Sequence, residues 1–343
     1  MMTTQSAQPA EPVAAGDPTT MRAIRQSRYG TVPEDVMRLD RVTRPGIAGN
    51  EVLIRVQAAG VDRGTWHLMT GQPYLMRLLG FGFRGPRNGV PGLDVAGTVV
   101  AVGREVTRFA AGDEVFGIAR GSFAEYAAAR EDKLARKPAT LSFVQAAGVA
   151  VSGLTALQGL RDAGRIQPGQ KVLVIGASGG VGSYAVQIAK SFGAEVTGVC
   201  STAKADLVRS IGADHVIDYT RADFADGRRC YDLILDIGGD SRLSRLRRAL
   251  TRRGTLVITG GEGDKWTGVG RQLRALALSV LIRQRLTTYA SRHRQADLDV
   301  LRQLTEADQV IPVIDRTYPL AETAAAIRRL VAGHARGKIV ITI

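Results

Sequence analysis

The stretch that decides the fold reads Lys171-Val172-Leu173-Val174-Ile175-Gly176-Ala177-Ser178-Gly179-Gly180-Val181-Gly182-Ser183. It is an apolar run followed by a cluster of glycines, and residues 184–190 continue with helical spacing. A dinucleotide pyrophosphate needs a buried strand that turns sharply into a helix. Glycines let the backbone approach the phosphates, and the helix N-terminus supplies free N–H groups and a partial positive charge. Because the cluster lies between strand and helix, we predict a dinucleotide site here.

The composition is typical of a soluble globular enzyme. The chain has 343 residues, of which 45% are hydrophobic and 23% charged, and this length accommodates two domains. No apolar run approaches the ~20 residues of a membrane span. The net charge of +14 could indicate a nucleic-acid binder. No compact basic and aromatic motif appears, however, so a solvated basic surface is favoured. We expect neither a nucleic-acid partner nor a membrane partner.

The cysteines and the N-terminus favour a cytoplasmic location. The two cysteines, Cys200 and Cys230, do not make a disulfide framework and suit a reducing compartment. Residues 1–20 are rich in Ala, Pro, Thr and Gln and lack the basic start and apolar core of a signal peptide. We predict that they form a disordered tail.

The pattern of the chain changes near residue 145. Residues 21–145 contain short strands separated by glycines, which indicates a barrel-like unit. Residues 146–309 alternate strands and helices, which indicates a parallel sheet with helical crossovers. The chain ends in a strand that we expect to return to the first unit. We therefore predict an α/β protein with a barrel domain of residues 21–145 and 310–343 and a doubly wound domain of residues 146–309.

The end of the second strand of the doubly wound domain predicts the cofactor. An acidic residue there binds the ribose 2′-OH of NAD, whereas a cation accommodates the 2′-phosphate of NADP. The strand Glu195-Val196-Thr197-Gly198-Val199-Cys200-Ser201 has no carboxylate at its end, and Lys204 follows closely. We therefore predict NADPH, bound by Ser201 and Lys204. Ser201 and Thr202 could instead cap the next helix, and Ser201 could do both.

Several motifs besides the glycine cluster together resemble those of one enzyme superfamily. They are Ala58-Ala59-Gly60-Val61-Asp62-Arg63-Gly64-Thr65-Trp66, Pro91-Gly92-Leu93-Asp94-Val95-Ala96-Gly97, Gly112-Asp113-Glu114-Val115-Phe116-Gly117, Ser152-Gly153-Leu154-Thr155-Ala156, Ser210-Ile211-Gly212-Ala213-Asp214-His215-Val216-Ile217-Asp218-Tyr219 and Gly333-His334-Ala335-Arg336-Gly337-Lys338. With these motifs the chain resembles the medium-chain dehydrogenase/reductases, in the zinc-independent quinone oxidoreductase-like branch. The resemblance implies a GroES-like β-barrel domain, a Rossmann domain, an active site in the cleft between them, hydride transfer, and assembly as a homodimer or homotetramer.

The resemblance also implies which residues bind the cofactor. Backbone of the glycine cluster would approach the pyrophosphate, and Ser201, Lys204 and Tyr219 would surround the 2′-phosphate and the adenine. Thr155, Gly238 and Gly260 would lie along the cofactor toward the nicotinamide. The complete set that we predict to bind it is Gly176, Ser178, Gly179, Gly180, Val181, Gly182, Ser201, Lys204, Tyr219, Gly238, Gly260 and Lys338.

We predict that the protein binds no metal. In the zinc-dependent alcohol dehydrogenases that the chain resembles, the catalytic ligands stand at the positions of Asp62, Leu93 and Val151. Leucine and valine cannot bind a metal, and Asp94 beside them cannot form a site alone. A structural zinc lobe needs four cysteines, and the chain has two, both elsewhere.

A hydride acceptor that needs no Lewis acid is the expected substrate. A quinone or an α,β-unsaturated carbonyl compound spreads the developing charge onto its own oxygen, so the protein needs to position it and offer a hydrogen bond. Our candidate catalytic residues are Tyr74, Asp62 and Thr155. Tyr74 stands where quinone reductases carry a tyrosine that lines the cleft, but it could also be a tyrosine at the rim. His67 is more simply a surface or hydrogen-bonded histidine.

Two other functions stay open, together with the roles of two segments. The chain could be a metal-free NADP-dependent alcohol dehydrogenase, or a non-catalytic NADPH-binding regulator that binds RNA. Residues 74–83 form an apolar segment that could be a hydrophobic lid or a short helix packed on the barrel. Residues 267–290 are expected to form an amphipathic or apolar helix of uncertain extent. Within it, residues 271–285 could border the substrate pocket, touch a membrane, or contact a subunit, and most simply form a surface helix with basic outer positions.

Overall fold

The computed structural model describes residues 19–74, 77, 82–83, 85–239, 241–259 and 269–343. Within these ranges the strands form a seven-stranded sheet, a six-stranded sheet and a two-stranded ribbon. The predicted N-terminal tail lies almost entirely outside the described residues. Most of the apolar segment 74–83 also lies outside them.

The first part of the chain is rich in antiparallel strands. Strand β3 is its centre, because it pairs antiparallel with both β4 and β6. Strands β1 and β2 form the separate ribbon. The elements are β1 (Thr20–Gln26), α1 (Pro33–Val36), β2 (Met37–Thr43), β3 (Glu51–Val61), α2 (Arg63–Thr70), β4 (Asp94–Val102), β5 (Glu114–Ile118), β6 (Tyr126–Arg130) and β7 (Leu134–Arg136).

The middle of the chain alternates strands and helices. Its elements are α3 (Phe143–Ala147), α4 (Ala150–Gln158), β8 (Lys171–Ile175), α5 (Gly180–Ser191), β9 (Glu195–Cys200), α6 (Ala205–Ser210), β10 (His215–Asp218), β11 (Tyr231–Asp236), α7 (Leu243–Ala249), β12 (Leu250–Ile258), α8 (Gly270–Ser279), β13 (Arg285–Thr288) and α9 (Gln295–Glu306). The six strands are parallel in the order β10-β9-β8-β11-β12-β13. This is the Rossmann order, and its direction reverses between β8 and β11, where such sheets bind dinucleotides.

The end of the chain rejoins the first sheet. It contains β14 (Ile314–Pro319), α10 (Thr323–Val331) and β15 (Lys338–Thr342). Strand β15 pairs antiparallel with β3 and parallel with β14. The last strand of the sequence therefore lies inside the seven-stranded sheet, and its first residues lie beside the Rossmann sheet.

One stretch that we expected to be helical is partly a strand. The sequence suggested a helix of uncertain extent over residues 267–290, but α8 ends at Ser279 and β13 is the sixth strand of the parallel sheet. Leu286 of β13 is buried, and Thr287 and Thr288 are β-branched, which suits a strand. The basic and apolar residues before β13 have helical spacing, so the sequence pattern did not distinguish this short strand from the helix.

A continuous apolar core joins the two sheets. Its largest cluster includes Ala58 and Phe116 from the first sheet together with Leu154, Tyr184 and Val174 from the Rossmann part. The hydroxyl of Tyr184 donates to the carbonyl oxygen of Gly148 at 3.0 Å, so the buried phenol is paired. Truncating a buried leucine in such a core costs about 2–5 kcal/mol. The two parts are therefore held together close to the glycine cluster.

Candidate cofactor and active site

The glycine cluster forms a tight turn between β8 and α5. Gly176 has φ of +88°, a conformation that favours glycine. A Cβ on Gly182 would lie 2.0 Å from the carbonyl oxygen of Gly176, so only glycine permits this approach of helix to strand. Gly179 is the N-cap residue of α5, and because it has no side chain it makes no capping hydrogen bond to the first N–H groups. The first N–H groups of the helix therefore face the turn with no partner inside the helix, as an anion site requires.

The C-terminal strand reaches this turn. The N–H of Gly337 donates to the carbonyl oxygen of Ser178 at 2.9 Å, and Gly179 and Gly337 form an isolated parallel bridge. Gly337 has φ of +101°, and a Cβ there would stand 2.3 Å from the carbonyl oxygen of Val313. Glycine at 337 is thus required by both its conformation and its surroundings. Ser178 and Gly337, which are more than 150 positions apart in sequence, therefore lie at the same edge of the predicted cofactor site.

Lys338 lies beneath the glycine turn and not on its surface. Its side chain is 1% exposed, and its Nζ donates to Asp94 Oδ2 at 2.9 Å and to Ser152 Oγ at 3.2 Å. Asp94 Oδ1 accepts from the N–H of Val151 at 2.7 Å, at the start of α4. Any effect of Lys338 on a bound cofactor is therefore indirect.

The carboxyl group of Asp94 has a raised pKa. Complete burial raises its pKa to about 6, with the nearby negative charge of Asp62 acting in the same direction and the ammonium of Lys338 opposing both effects. The ion pair of Asp94 with Lys338 links β4 to β15, and the hydrogen bond from Lys338 to Ser152 links both strands to α4. One buried ion pair thus ties together three elements around the predicted site.

At the end of β9, Lys204 contacts the C-terminal segment. Its Nζ donates to the carbonyl oxygens of Gly333 at 2.7 Å and Ala335 at 2.8 Å. Burial lowers the pKa of this ammonium, and the positive charge of Arg336 lowers it as well. Ser201 is half-buried and Tyr219 is exposed. Lys204 therefore positions a loop that carries a second cation, Arg336, beside the end of the second strand.

A carboxylate that the sequence analysis overlooked also lies at this edge. Asp218 ends β10, and its carboxylate accepts the hydroxyl of Thr202, the hydroxyl of Thr220 at 2.7 Å and the N–H of Thr220 at 3.0 Å. Arg221 lies 3.7 Å from it. The hydrogen bond from the hydroxyl of Thr202 lowers the pKa of Asp218 more than the other contacts do. Because β9 and β10 are adjacent and parallel, the two strand ends meet, which their spacing in sequence does not reveal.

At the other end of the predicted cofactor path, Gly238 follows β11 beside Gly176. The N–H of Gly238 donates to the carbonyl oxygen of Ile175 at 3.2 Å. The fully buried Asp236 accepts from the N–H of Gly239 and from Arg271, which also donates to the carbonyl oxygen of Gly239 at 2.6 Å. Gly260 lies outside the described residues.

Arg271 therefore points inward, unlike the surface position that we considered simplest for the basic segment. It belongs to the first turn of α8, whereas Arg274 on the same helix is exposed. Its guanidinium bridges Asp236 and the turn that carries Gly238. Helical spacing could not reveal this, because the buried partner lies 35 residues away on a strand.

The three candidate catalytic residues differ in their surroundings. Asp62 is buried and caps α2, since its Oδ1 accepts from the N–H of Thr65 at 2.8 Å. Its Oδ2 has no hydrogen-bond partner in the described part of the chain. The hydroxyl of Thr155 donates to the carbonyl oxygen of Val151 at 2.7 Å, and the hydroxyl of Tyr289 donates to the carbonyl of Thr155.

Tyr74 belongs to a cation–aromatic cluster. The guanidinium of Arg77 lies 4.7 Å from the centre of the Tyr74 ring and 4.4 Å from that of Tyr29. Nδ1 of His67 lies 3.0 Å from the carbonyl oxygen of Gln72, so this nitrogen carries the proton that forms the hydrogen bond. His67 has a structural partner, and Tyr74 is held in place at the edge of the described segment.

Two of the three positions at which related dehydrogenases carry zinc ligands are apolar here, and the third is Asp62. Leu93 and Val151 both pack against the main hydrophobic cluster. Across the ranges that the structure describes, no group of three or more histidines, cysteines, aspartates or glutamates could hold a metal ion. The side chains around Asp62 therefore do not fit a catalytic zinc.

Comparison with known proteins identifies the family. Residues 48–139 match the model of the alcohol dehydrogenase GroES-like domain, and residues 211–341 match the model described as zinc-binding dehydrogenase. A chloroplast envelope quinone oxidoreductase homolog of Arabidopsis thaliana is 30% identical over 338 residues, covering 94% of this chain and 98% of the relative. The chain belongs to the medium-chain dehydrogenase/reductase superfamily, in its quinone oxidoreductase-like branch.

Other relatives and solved structures agree with this assignment. The 2-methylene-furan-3-one reductase of Solanum lycopersicum is 33% identical, covering 94% of this chain and 79% of the relative. The quinone oxidoreductase of Coxiella burnetii has a TM-score of 0.84 at 28% identity, covering 94% of this chain and 99% of that one. A mycobacterial protein complexed with NADPH has a TM-score of 0.80 at 26% identity, covering 94% and 100%. The predicted fold class, a GroES-like domain with a Rossmann domain, is confirmed.

Proposed function

We propose that this protein is an oxidoreductase that transfers a hydride from NADPH to a quinone or an α,β-unsaturated carbonyl compound without a metal. The observation that carries the proposal is the glycine turn at the switch point of the Rossmann sheet, where a Cβ on Gly182 would collide with Gly176. The relatives named quinone oxidoreductase and 2-methylene-furan-3-one reductase support the substrate class.

The preference for NADPH over NADH rests on charge. Lys204 follows Ser201 at the end of β9, and Arg336 is near enough for its charge to act on the ammonium of Lys204, which suits a 2′-phosphate. The negative charge of Asp218 opposes binding of the 2′-phosphate, but this carboxylate already accepts hydrogen bonds from Thr202 and Thr220. We propose that Lys204 and Arg336 bind the 2′-phosphate with Ser201, and that the exposed ring of Tyr219 covers the adenine.

The rest of the cofactor would lie at the ends of β8 and β11, where the strand order of the Rossmann sheet reverses. The N–H groups of the first turn of α5, at Gly180, Val181 and Gly182, would hold the pyrophosphate, with Gly176, Ser178 and Gly179 shaping the turn. Gly238 and Thr155 would border the nicotinamide, which supplies the hydride when bound. We propose this path for the cofactor from the positions of these residues.

The residues of this chain would position the acceptor and exclude water. A quinone or an enone carries the developing negative charge on its own oxygen, so a hydrogen bond from one hydroxyl stabilises it, and the proton that completes the reduction comes from solvent or from a nearby hydroxyl. We propose that Tyr74 donates this bond. Oδ2 of Asp62, which has no hydrogen-bond partner among the residues that the structure describes, would accept a hydrogen bond from an ordered water, and the hydroxyl of Thr155 would border the acceptor.

The experiment is the oxidation of NADPH and of NADH by purified protein with a panel of quinones, enones, ketones and alcohols. We expect turnover with NADPH and electron-poor acceptors. Alcohol-dependent reduction of NADP would instead support a metal-free alcohol dehydrogenase. Tight NADPH binding with no turnover across the panel, together with salt-sensitive RNA binding, would support a regulatory protein.

We also propose that the protein forms a homodimer through the edge of the Rossmann sheet. Strand β13 is the last strand of that sheet, and just before it Val280 and Leu281 are 85% and 82% exposed. Apolar side chains this exposed beside the edge strand of the described sheet favour a protein contact.

The location is a separate proposal. None of the helices in the described ranges is both long and apolar enough to cross a membrane. Cys200 and Cys230 are both free thiols, which supports a reducing compartment, and we propose the cytoplasm. Several relatives are named as chloroplastic or mitochondrial proteins. Cell fractionation with detection of the native protein tests this proposal.

A further inference from the structure

We propose that a cleft at the amino-terminal ends of β12 and β13 binds a small anion that carries several phosphate groups. The cleft has a volume of about 440 Å³, and we call it the arginine cleft. The inference does not rest on the proposed function, and it assigns a binding site that the hydride transfer does not use. The polar side chains that line the cleft belong to Ser244, Arg247, Arg248, Arg252, Arg283 and Gln284.

The arginine cleft lies at the opposite edge of the Rossmann sheet from the glycine turn. Strand β12 begins at Leu250 and β13 at Arg285, and the residues of the cleft stand just before these strands or in their first positions. Because the strands of the sheet are parallel, their amino-terminal ends share one edge, whereas the glycine turn follows the carboxyl end of β8. An anion in the arginine cleft is therefore bound separately from the dinucleotide.

Hydrogen bonds hold the two sides of the cleft together. Gln284 Nε2 donates to the carbonyl oxygens of Arg247 at 2.9 Å and Thr251 at 3.3 Å. Below them, the buried Leu246 of α7 and the half-buried Ile282 pack in the same apolar cluster. The cleft is thus formed before any ligand arrives, so binding does not have to order these segments.

The four arginines of the cleft are not neutralised by carboxylates. Within the described part of the chain none of them forms an ion pair, although Arg245 on the same helix pairs with Asp223 at 2.8 Å. Residues 241–254 contain six arginines and no aspartate or glutamate. Guanidinium groups that converge without an anion between them repel one another, and a bound anion would relieve this repulsion.

The guanidinium groups also have hydrogen-bond donors to spare. An arginine side chain carries five N–H donors. Arg247 is half-buried, and among the described residues its side chain donates only to Gln284 Oε1, from Nε at 3.2 Å. The other three arginines are exposed and line the same cleft. The cleft therefore offers donors from four guanidinium groups to one ligand.

Stabilisation of helix α7 explains only part of this arrangement. Arg247 and Arg248 stand in its last turn, where a cation interacts favourably with the helix dipole. Arg252 belongs to β12, and Arg283 lies between α8 and β13, so neither is part of a helix. A shared anion accounts for the convergence of all four.

The lining favours an oligophosphate over a nucleic acid. A guanidinium donates two parallel hydrogen bonds to a phosphate group, so four of them suit two or three linked phosphates. The volume of the cleft lies in the range of small-molecule pockets. Single-stranded nucleic acids bind through bases that stack on aromatic side chains, and none of the described residues that line the cleft is aromatic.

The experiment compares two neighbouring arginines of β12. Calorimetry gives the Kd for tripolyphosphate at constant ionic strength, with saturating NADPH and in parallel without it. The variant R252Q removes one charge from the cleft. R253Q is the matched control, because Arg253 is also exposed but does not line the cleft. Each variant lowers the net charge by the same amount, so a diffuse basic surface would respond equally to both.

A second variant and two further ligands complete the experiment. R248Q removes another exposed arginine of the cleft. Inorganic phosphate tests whether several linked phosphates are needed, and a single-stranded RNA tests for a nucleic-acid surface. Thermal unfolding of each variant checks that it is folded.

We expect the wild type to bind tripolyphosphate in the presence of saturating NADPH. R252Q and R248Q should each weaken this binding about tenfold, as expected for one lost charge-assisted contact. R253Q should change it by less than about twofold, because a more distant surface charge is screened by salt. Inorganic phosphate should bind more weakly than tripolyphosphate.

Four results would overturn the proposal. These are no binding of tripolyphosphate by the wild type, equal weakening by R252Q and R253Q, displacement of tripolyphosphate by NADPH, and RNA binding that is tighter than tripolyphosphate binding and equally sensitive to R252Q. Failure of the wild type to bind NADPH would instead refute the proposed function. The comparison of R252Q with R253Q without NADPH would then still decide this proposal, so the two failures are distinguishable.

Discussion

Gly182 and Gly176 approach so closely that a Cβ on Gly182 would lie 2.0 Å from the carbonyl oxygen of Gly176 and 2.7 Å from the Cα of Ala177. Both obstacles are backbone atoms, which cannot move aside as a flexible side chain can. This contact sets the distance between β8 and α5 and hence the size of the turn that would receive the pyrophosphate.

Substituting Gly182→Ala should therefore destabilise the protein and weaken NADPH binding. Overpacking of this kind costs about 1–3 kcal/mol. Gly179→Ala is the matched control for stability, because a Cβ there would meet only the Gly176 oxygen at an ordinary 3.5 Å. Urea unfolding of the two variants is the measurement. Equal stability of Gly182→Ala and Gly179→Ala would contradict this account of the turn.

The contact between Lys204 and the C-terminal segment predicts the choice of nucleotide. Lys204→Met should weaken NADPH binding about 10–100-fold, the range of one lost charge-assisted contact, and should leave NADH binding nearly unchanged. Lys190→Met is the control, since Lys190 pairs with Asp214 at the far end of α5. The ratio of the two Kd values, measured by fluorescence titration, is the readout. An equal loss for both nucleotides would assign Lys204 a role in folding only.

The raised pKa of Asp94 predicts how stability depends on pH. Burial raises this pKa from 3.8 to about 6, so the folded state binds a proton that the unfolded state has lost in that window. The contribution to stability is therefore complete below the unfolded value and is lost as the pH rises toward the folded one.

Asp94→Asn cannot titrate and should remove this dependence. The difference in unfolding free energy between wild type and Asp94→Asn should fall by about 1–3 kcal/mol across that window. Denaturation at a series of pH values measures it, and taking the difference removes the effect of the other carboxylates. A difference that is constant with pH, or that grows as the pH rises, would be inconsistent with the raised pKa.

The exposed residues before β13 predict the assembly. Leu281→Asp should convert the proposed homodimer to a monomer without loss of folding, because the side chain is 82% exposed in the single chain. Leu39→Asp is the control, since Leu39 is 44% exposed on the ribbon of β1 and β2. Light scattering with size-exclusion chromatography gives the mass of each. A wild-type monomer, or dimers of Leu281→Asp, would refute this interface.

The sequence predicted features that depend on neighbouring residues. The apolar run of β8, the glycines and the spacing of α5 lie within 21 residues of one another, so local pattern suffices to recognise the turn. The doubly wound domain followed from the alternation of strands and helices, whereas the GroES-like domain was implied by the resemblance.

Contacts between distant side chains could not be predicted in this way. Lys338 forms an ion pair with Asp94, which lies 244 residues away in sequence, and Arg271 forms one with Asp236 on another element. No periodicity encodes such pairs, because they depend on which elements the fold brings together. Strand β13 was missed for a related reason, since a four-residue strand beside a helix carries too short a pattern to be separated from it.

The central claim is hydride delivery from a nicotinamide to a quinone or an enone without a metal. The most direct measurement uses NADPH deuterated at the transferable position, protein treated with a strong chelator, and mass spectrometry of the reduced product of an enone. We predict that the chelated protein transfers deuterium to the carbon skeleton at its untreated rate. Product without deuterium, or turnover lost on chelation and restored by zinc, would contradict the claim.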